Sequence, residues 1–360
     1  MNKSARQCFT WLEIDNTTAL QNLNDQFTER HIGGISFTSI LMVLGIFGNF
    51  AVIWIYTQRF KVSNYRTYTI WLAIMDIANS CIGMPFLVYY MSHYLTFPSD
   101  GLCKFGRFTM VFTTNSSAYL LVVIAFDRYR KVCKPLKWQL SCKNTKVCCI
   151  VATFLGLLTS WPCLVLYGTY TVDTVIPDVK GLRCWTDDAY KNTVYPKIYY
   201  IVLYIFNFLV IPILFIAYAQ ILRFLHTHGT SGVRVKTEKT TITLLAVSAA
   251  FLLSAIPHYS LVVITRIQKD FNCNMTFPEG FAYYTFVFSI LLNNAVNPFI
   301  YGFLDRKFQR EMRRGLKTCR EDKGDATNCS VSQSMELESM DPRHIHVIPK
   351  MQSSEITLND

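Results

Sequence analysis

The chain has 360 residues, of which 51% are hydrophobic, 14% aromatic and only 16% charged, a balance that excludes an ordinary soluble domain of this length. Its formal net charge of +11 fits membrane topology and contact with anionic membrane lipid, so nucleic acid is not an expected partner. A hydrocarbon core about 30 Å thick needs roughly 20 mainly apolar residues per helix. Seven such runs follow one another along the chain.

Residues 1–32 form a polar arm with Cys8 and two glycosylation sequons, at Asn2 and Asn16; no short apolar core precedes a small-residue cleavage site, so no cleavable signal is expected. Span 1 (33–57) is followed by Arg59, Lys61 and Arg66, and span 2 (68–92) carries Asp76 inside "LAIMDIANS". Span 3 (104–132) opens beside Cys103 and ends at Asp127-Arg128, with six further basic residues from Arg130 to Lys146. The sequon at Asn115 lies inside this span and is read as helix. Span 4 (147–167) leads to a loop holding Asp173, Asp178, Cys184, Asp187 and Asp188. Span 5 (196–225) precedes Arg234, Lys236 and Lys239, opposed by Glu238 alone, and span 6 (240–264) precedes Cys273 and a third external sequon at Asn274. After span 7 (281–303), Phe308 and Met312 fall in helical register among basic residues, as in an amphipathic helix lying on a membrane. Beyond residue 318 the chain is polar, with serines near acids.

The expected fold is therefore an all-α membrane protein: a seven-transmembrane helix bundle (33–304), a short amphipathic helix (305–318), an extracellular N-terminal arm (1–32) and a disordered cytoplasmic tail (319–360). Orientation follows from Lys and Arg retained on the cytoplasmic side, here the loops after spans 1, 3 and 5. The N-terminus is then outside, the C-terminus inside, and the expected location is the plasma membrane. Of the 12 cysteines, only Cys8, Cys103, Cys184 and Cys273 fall on the outer side. Cys103–Cys184 would pin the loop after span 4 over the bundle and Cys8–Cys273 is the candidate second pair, although four cysteines allow three pairings.

An ionised carboxylate at Asp76 costs roughly 2.5 to 3.5 kcal/mol in a membrane centre and calls for partners. Asn49, Ser117, Asn293, Asn294 and Asn297 lie at similar depth. They either glue helices together or, with Asp76, offer oxygens to a hard cation such as sodium. Pro85, Pro162, Pro212, Pro257 and Pro298 each remove a backbone hydrogen bond and favour a kink.

In chain order, "GN" at Gly48-Asn49, "LAxxD" ending at Asp76, Cys103, "DRY" at Asp127-Arg128-Tyr129, Pro135 and "NPxxY" from Asn297-Pro298 to Tyr301 resemble the rhodopsin-like (class A) family of G-protein-coupled receptors, over residues 33–318. Arg128 follows Cys103 by about 25 residues, or roughly 37 Å of helix, enough to carry one marker to each membrane face. The resemblance implies a receptor, not an enzyme, that activates a heterotrimeric G protein. It makes Arg128 a switch paired with Asp127 at rest, with Tyr301 and Tyr218 moving inward on activation. A sodium ion at Asp76, Ser117, Asn293 and Asn297 would be an allosteric ligand; no cofactor is implied. Cys319 becomes a palmitoylation candidate, and phosphorylated tail serines an arrestin site.

Several positions depart from the family pattern. Ala255 stands where a tryptophan usually precedes the span 6 proline, Trp161 directly precedes Pro162, and Glu238 is one position out of register as an acidic partner for Arg128. Met110 occupies the place of the aspartate in amine receptors, which argues against a biogenic amine. The candidate ligand lining is Arg107, Met110, Thr114, His258, Tyr259, Arg266 and Tyr283, closest in character to peptide receptors. Arg107 and Arg266 are placed to hold a carboxylate, while the acids of the loop after span 4 are placed to steer basic residues. The leading expectation is an extracellular peptide ligand. A lipid or other small molecule, or a seven-span transporter using Asp76 as an ion site, are the alternatives.

Overall fold

Serine hydroxyls open three of the long helices, because a side-chain oxygen can accept one of the N–H groups that a first turn leaves unpaired. Ser63 Oγ accepts from Arg66 N at 3.2 Å to start span 2 (Asn64–Ser92). Ser99 does the same for Leu102 at the head of span 3 (Asp100–Cys133), and Ser141 for Asn144 at the head of span 4 (Cys142–Leu166). Span 1 is Ile32–Arg59, span 5 Tyr195–His228 and span 6 Arg234–Ile267. The structure is a computed structural model that describes residues 19–174, 179–228, 234–267 and 275–314, with the side chains of 228, 234–238, 266 and 267 outside that description. Among the described residues, six helices are long and apolar enough to cross a membrane, and seven if the pair Phe277–Val287 and Ser289–Leu304, bent by 42°, is taken as one span.

The bends do not all fall where proline predicts them. In span 2 the turn Asn79–Gly83 is a π-helix immediately before Pro85, a widening that accommodates the missing N–H and the ring. Span 4 stops at Trp161-Pro162 and resumes as the short turn Cys163–Leu166. Pro298, by contrast, lies inside the helix Leu292–Leu304, and the break in span 7 comes earlier, at Phe288 and the 3₁₀ turn Ser289–Leu291. The expected pivot at Pro298 is thus displaced towards the other end of the span. The Pro298 ring instead packs on Gly48 of span 1, where a Cβ would come within 2.7 Å of it.

Two elements were not expected. Tyr167–Asp173 (β1) and Lys180–Thr186 (β2) form an antiparallel hairpin in the register Thr169↔Cys184, favoured by the alternating aromatic and β-branched residues of "YGTYTVD". Leu182 N donates to Leu95 O at 2.7 Å, and Phe97 N donates to Leu182 O at 3.0 Å, so the segment after span 2 joins the hairpin. The second is a helix, Ala19–Arg30, within the N-terminal arm. Leu23 and Phe27, four apart and hence on one face, pack with Leu20 against Tyr94 and Leu95. Asn24 satisfies the end of span 2, its Nδ2 donating to Ser92 O at 2.9 Å and its Oδ1 accepting from Leu95 N at 3.0 Å.

His31 sits between that helix and span 1, only 2% exposed, with its ring 4.0 Å from that of Tyr284 and 4.9 Å from that of Tyr94. Its Nδ1 lies 2.5 Å from Phe27 O, which fixes the neutral tautomer with Nδ1 protonated. Burial first, then the charges of Arg183 and Arg30, push the imidazole down to about 4, against the pull of the Phe27 carbonyl.

Past span 7, Asp305 Oδ1 accepts from Lys307 N and Phe308 N at 2.9 and 3.1 Å and so starts the expected short helix, which runs from 306 to 314. Phe308 is buried against Tyr56 with ring centroids 5.6 Å apart. Cys8, Cys273 and Cys319, the sequons at Asn2, Asn16 and Asn274, the serine-rich tail and Asp178 all lie outside the described residues.

Candidate functional site

Span 3 ends in an aspartate and an arginine that are both almost fully buried. Adjacent helical residues point in different directions, so the long Arg128 side chain must fold back to reach its neighbour. It does: Arg128 Nη2 pairs with Asp127 Oδ2, and the residues are 3% and 0% exposed. Lys131, one turn on, reaches the same carboxylate oxygen at 3.0 Å. The other oxygen accepts from Asn64 Nδ2 at 3.2 Å, while that amide also donates to Leu140 O at 2.9 Å. A buried ion pair is costly to break by removing one partner, and this one is held by two helices and a loop. Tyr129 faces outward from the pair, under the Lys134 ammonium at 5.3 Å. Glu238, the candidate acid from span 6, has its side chain outside the described residues.

Tyr218 and Tyr301 do not meet. Tyr218 in span 5 hydrogen-bonds to Ser248 of span 6 at 2.8 Å, and Tyr301 is buried edge-on to Tyr56 at 5.8 Å.

Asp76 is wholly buried, and its Oδ2 accepts from Asn297 Nδ2 at 2.8 Å. Four further oxygens are buried and without a hydrogen-bond partner among the described residues: Asp76 Oδ1, Ser117 Oγ, Asn293 Oδ1 and Asn297 Oδ1. Uncommitted oxygens of this kind, including one carboxylate, suit a hard cation. Asn49 Oδ1 is likewise buried and uncommitted, while its amide has a task of its own. Asn49 Nδ2 donates to Asn294 O at 2.7 Å and to Gly45 O at 3.0 Å, joining span 1 to span 7.

Sequence comparison matches residues 48–301 to the model of the 7 transmembrane receptor (rhodopsin family). The chain belongs to that family. It is 24% identical over 297 residues to the Substance-P receptor of Homo sapiens, covering 78% of this chain and 70% of that protein. It is likewise 25% identical over 306 residues to the Gonadotropin-releasing hormone II receptor of Clarias gariepinus, covering 78% of this chain and 77% of that one. The residues above are therefore arranged in a rhodopsin-family receptor, and the multi-pass bundle is that of a membrane protein.

At the opposite end of the receptor's span 3, Cys103 and Cys184 are joined as a disulfide with Cα atoms 5.3 Å apart. The link is reinforced by Thr169 N, which donates to Asp100 Oδ1 at 2.9 Å, and by Lys104, which pairs with Asp100 and lies 3.5 Å from Asp187. One turn along from Cys103, Arg107 enters a ring of aromatics: its guanidinium carbon is 4.5 Å from the Tyr90 ring centre, 5.5 Å from Trp185, 5.6 Å from Tyr167 and 5.9 Å from Phe86. Gly106 is required here, since a Cβ would overlap the Phe86 ring. Met110 and Thr114 continue down the helix from Arg107, both half-buried.

The other candidate ligand contacts divide. His258 Nδ1 lies 2.5 Å from Val287 O, so its ring is spent on tying span 6 to the break in span 7. Tyr259, one residue on and about 100° round the helix, is buried against Phe208 and Tyr204 of span 5. Neither belongs to the ring of aromatics around Arg107. Tyr283 faces the cleft between spans 6 and 7 beside Pro257, Leu261 and Phe286. Arg266 has its side chain outside the described residues. Two of the loop acids are also committed: Asp187 Oδ1 accepts from Ala189 N at 2.9 Å, Asp188 Oδ2 accepts from Thr171 N and Oγ1, and Asp188 Oδ1 accepts from Lys191 at 2.7 Å. Burial would raise that carboxyl, but Lys191 and Thr171 outweigh it and hold it below the usual range. Asp187 and Asp188 thus serve the hairpin and its neighbours, whereas Asp173 is exposed.

Three residues here were not singled out from the sequence. Asn64 holds Asp127; Asp305 takes the hydroxyls of Tyr56 and Tyr65, each at 2.9 Å; and Arg183 of β2 places its guanidinium 3.8 Å from the centre of the Tyr94 ring. Burial would weaken the Arg183 charge, but Tyr94, Tyr90 and Tyr284 more than offset this and keep its proton affinity above the ordinary value. Asp305 alone had a legible signal, as an aspartate directly before an amphipathic helix. No sequence period marks the other two, because their partners come from distant parts of the chain.

Proposed function

We propose that this receptor lies in the plasma membrane with its N-terminus outside, takes a peptide ligand at the disulfide end, and activates a heterotrimeric G protein at the Asp127–Arg128 end. The observation that carries the reading is the single helix Asp100–Cys133, fastened at Cys103 by the disulfide and ending in the buried Asp127–Arg128 pair. Two of its matched relatives, named for substance P and gonadotropin-releasing hormone, support the choice of a peptide. Positive charge after spans 1, 3 and 5 supports the orientation.

The mechanism is a population shift. Ligand contacts at the disulfide end favour a bundle in which span 6 swings away from span 3 and Arg128 leaves Asp127 for the G protein. Span 6 meets span 7 through two polar bridges that flank Ala255 and Pro257: Ser289 Oγ donates to Ser254 O at 2.7 Å, and His258 meets Val287 O. With alanine where the family usually has tryptophan, these bridges are the coupling between ligand end and helix. Asp76, Ser117, Asn293 and Asn297 would hold sodium, which supplies a positive charge that favours the resting packing. Glycans at Asn2, Asn16 and Asn274, palmitate at Cys319 and an arrestin site on the phosphorylated tail complete the proposal, along with the domain limits at 32, 304 and 318.

Guanine-nucleotide exchange on purified G proteins, in membranes holding wild type or Arg128→Ala, tests it. Exchange above empty membranes that disappears in Arg128→Ala is expected. Exchange identical in the two, under a peptide library as well as without ligand, refutes the reading.

A further inference from the structure

We propose that Arg107 and Arg183 together form a carboxylate-binding site at the disulfide end, which recognises a carboxylate of the peptide ligand. The inference rests on the peptide-receptor reading above and goes beyond it in naming the group recognised and the residue on the hairpin that takes part.

Both guanidiniums are half-buried, and neither belongs to any of the ion pairs among the described residues. Two acids near the disulfide, Asp100 and Asp187, face Lys104. What surrounds the two arginines is aromatic. Tyr90 packs on Arg107 and its hydroxyl hydrogen-bonds to both guanidiniums, while Tyr94 covers Arg183 and bonds to it as well. Ring faces offset part of the cost of drying a cation, about 0.5 to 2 kcal/mol each, but accept none of its five fixed N–H donors in a strong bond. Besides Tyr90, Arg107 makes one long bond to the backbone, from Nη2 to Cys184 O at 3.4 Å. The Nε atoms of Arg107 and Arg183 are both buried without a partner. A carboxylate is the group whose two oxygens match that fork, and a site of two arginines disfavours an ammonium by like-charge repulsion.

The disulfide makes the pair a built feature. Arg183 is the residue before Cys184, and Arg107 is one turn from Cys103, so the bond that joins the hairpin to span 3 also fixes the two donors relative to each other. Donors held in place before binding lose little freedom when the ligand arrives.

The test has two arms on the full-length receptor. In the first, library peptides are made as C-terminal acid and C-terminal amide, and with Asp and Glu or Asn and Gln, and read by nucleotide exchange. Activators should weaken by about a hundredfold when their one critical carboxylate is neutralised, with the position of that group separating a chain terminus from a side chain. Arg107→Gln and Arg183→Gln should each remove most of that difference. Activators that tolerate neutralisation of every carboxylate overturn the proposal. A library with no activator counts against the peptide reading, and the second arm then decides the site alone.

There, purified receptor is melted with benzoate or with neutral benzamide at equal ionic strength. Benzoate should raise Tm by about 2 °C more than benzamide in wild type and not in Arg107→Gln/Arg183→Gln. Equal shifts for the two probes in wild type overturn the proposal even if the double variant does not fold.

Discussion

Asn297 in span 7 donates its side-chain amide to Asp76 in span 2 at 2.8 Å, and the two buried groups join segments 221 residues apart. The bond leaves the second Asp76 oxygen uncommitted, as are Ser117 Oγ, Asn293 Oδ1 and Asn297 Oδ1. If sodium occupies that set and favours the resting bundle, replacing sodium by a large organic cation should raise ligand-independent nucleotide exchange in wild type. Asp76→Asn should be insensitive to the exchange of cations. A variant as sodium-sensitive as wild type would remove Asp76 from the site.

Asn64 and Asp127 together hold Arg128. Asp127→Asn removes the charge that retains the arginine and should raise basal exchange severalfold. Asn64→Ala removes one bond to a charged group, a contribution of about 1.5 to 3 kcal/mol, and should raise it by a smaller factor. Basal activity of Asn64→Ala equal to wild type would show that Asn64 serves only the loop at Leu140.

The coupling assigned to Ser254, His258 and the span 7 break predicts that Ser289→Ala and His258→Phe reduce maximal ligand-stimulated exchange while surface expression holds. Ala255→Trp, which adds bulk at a fully buried position, should cost more by overpacking. Unchanged stimulation in both polar variants would locate the coupling elsewhere.

Cys184→Ser opens a loop of sequence separation 81, a change worth about 2 to 4 kcal/mol. The apparent Tm of purified receptor should fall by several degrees. Hydrogen exchange should rise in β1 and β2 well above any rise in span 5.

His31 gives the docked helix Ala19–Arg30 a pH dependence. Its imidazole has a pKa of about 4 in place and the ordinary 6.5 when released, so release takes up a proton between those values. The stability of docking is complete above about pH 6.5, falls as pH drops towards 4, and is lost by at most about 3 kcal/mol. Protease cleavage near Phe27 should quicken over that window in wild type and stay flat in His31→Phe. Equal profiles would assign the pH effect to another group.

The bundle was legible in the sequence because its signals are local. Twenty apolar residues in a row satisfy their own backbone only as a helix, whatever surrounds them, and Asp127-Arg128 and Asn297-Pro298 sit at fixed offsets within such runs. The pairings that make sites are not local. Asp76 meeting Asn297 could be guessed from depth, but Asn49 turning to Asn294 could not, since equal depth does not fix which face a side chain takes.

Composition and hydropathy thus determined seven spans, their order and the residues too polar for a membrane to ignore. Tertiary packing decided the rest: the docked N-terminal helix, the hairpin, the break in span 7 at Phe288 in place of Pro298, and the meeting of Arg107 and Arg183 at Tyr90. The reason is energetic. A span buries its backbone bonds within itself, whereas a lone strand, a loop arginine or a short amphipathic helix gains enough only from a partner brought near by the rest of the chain.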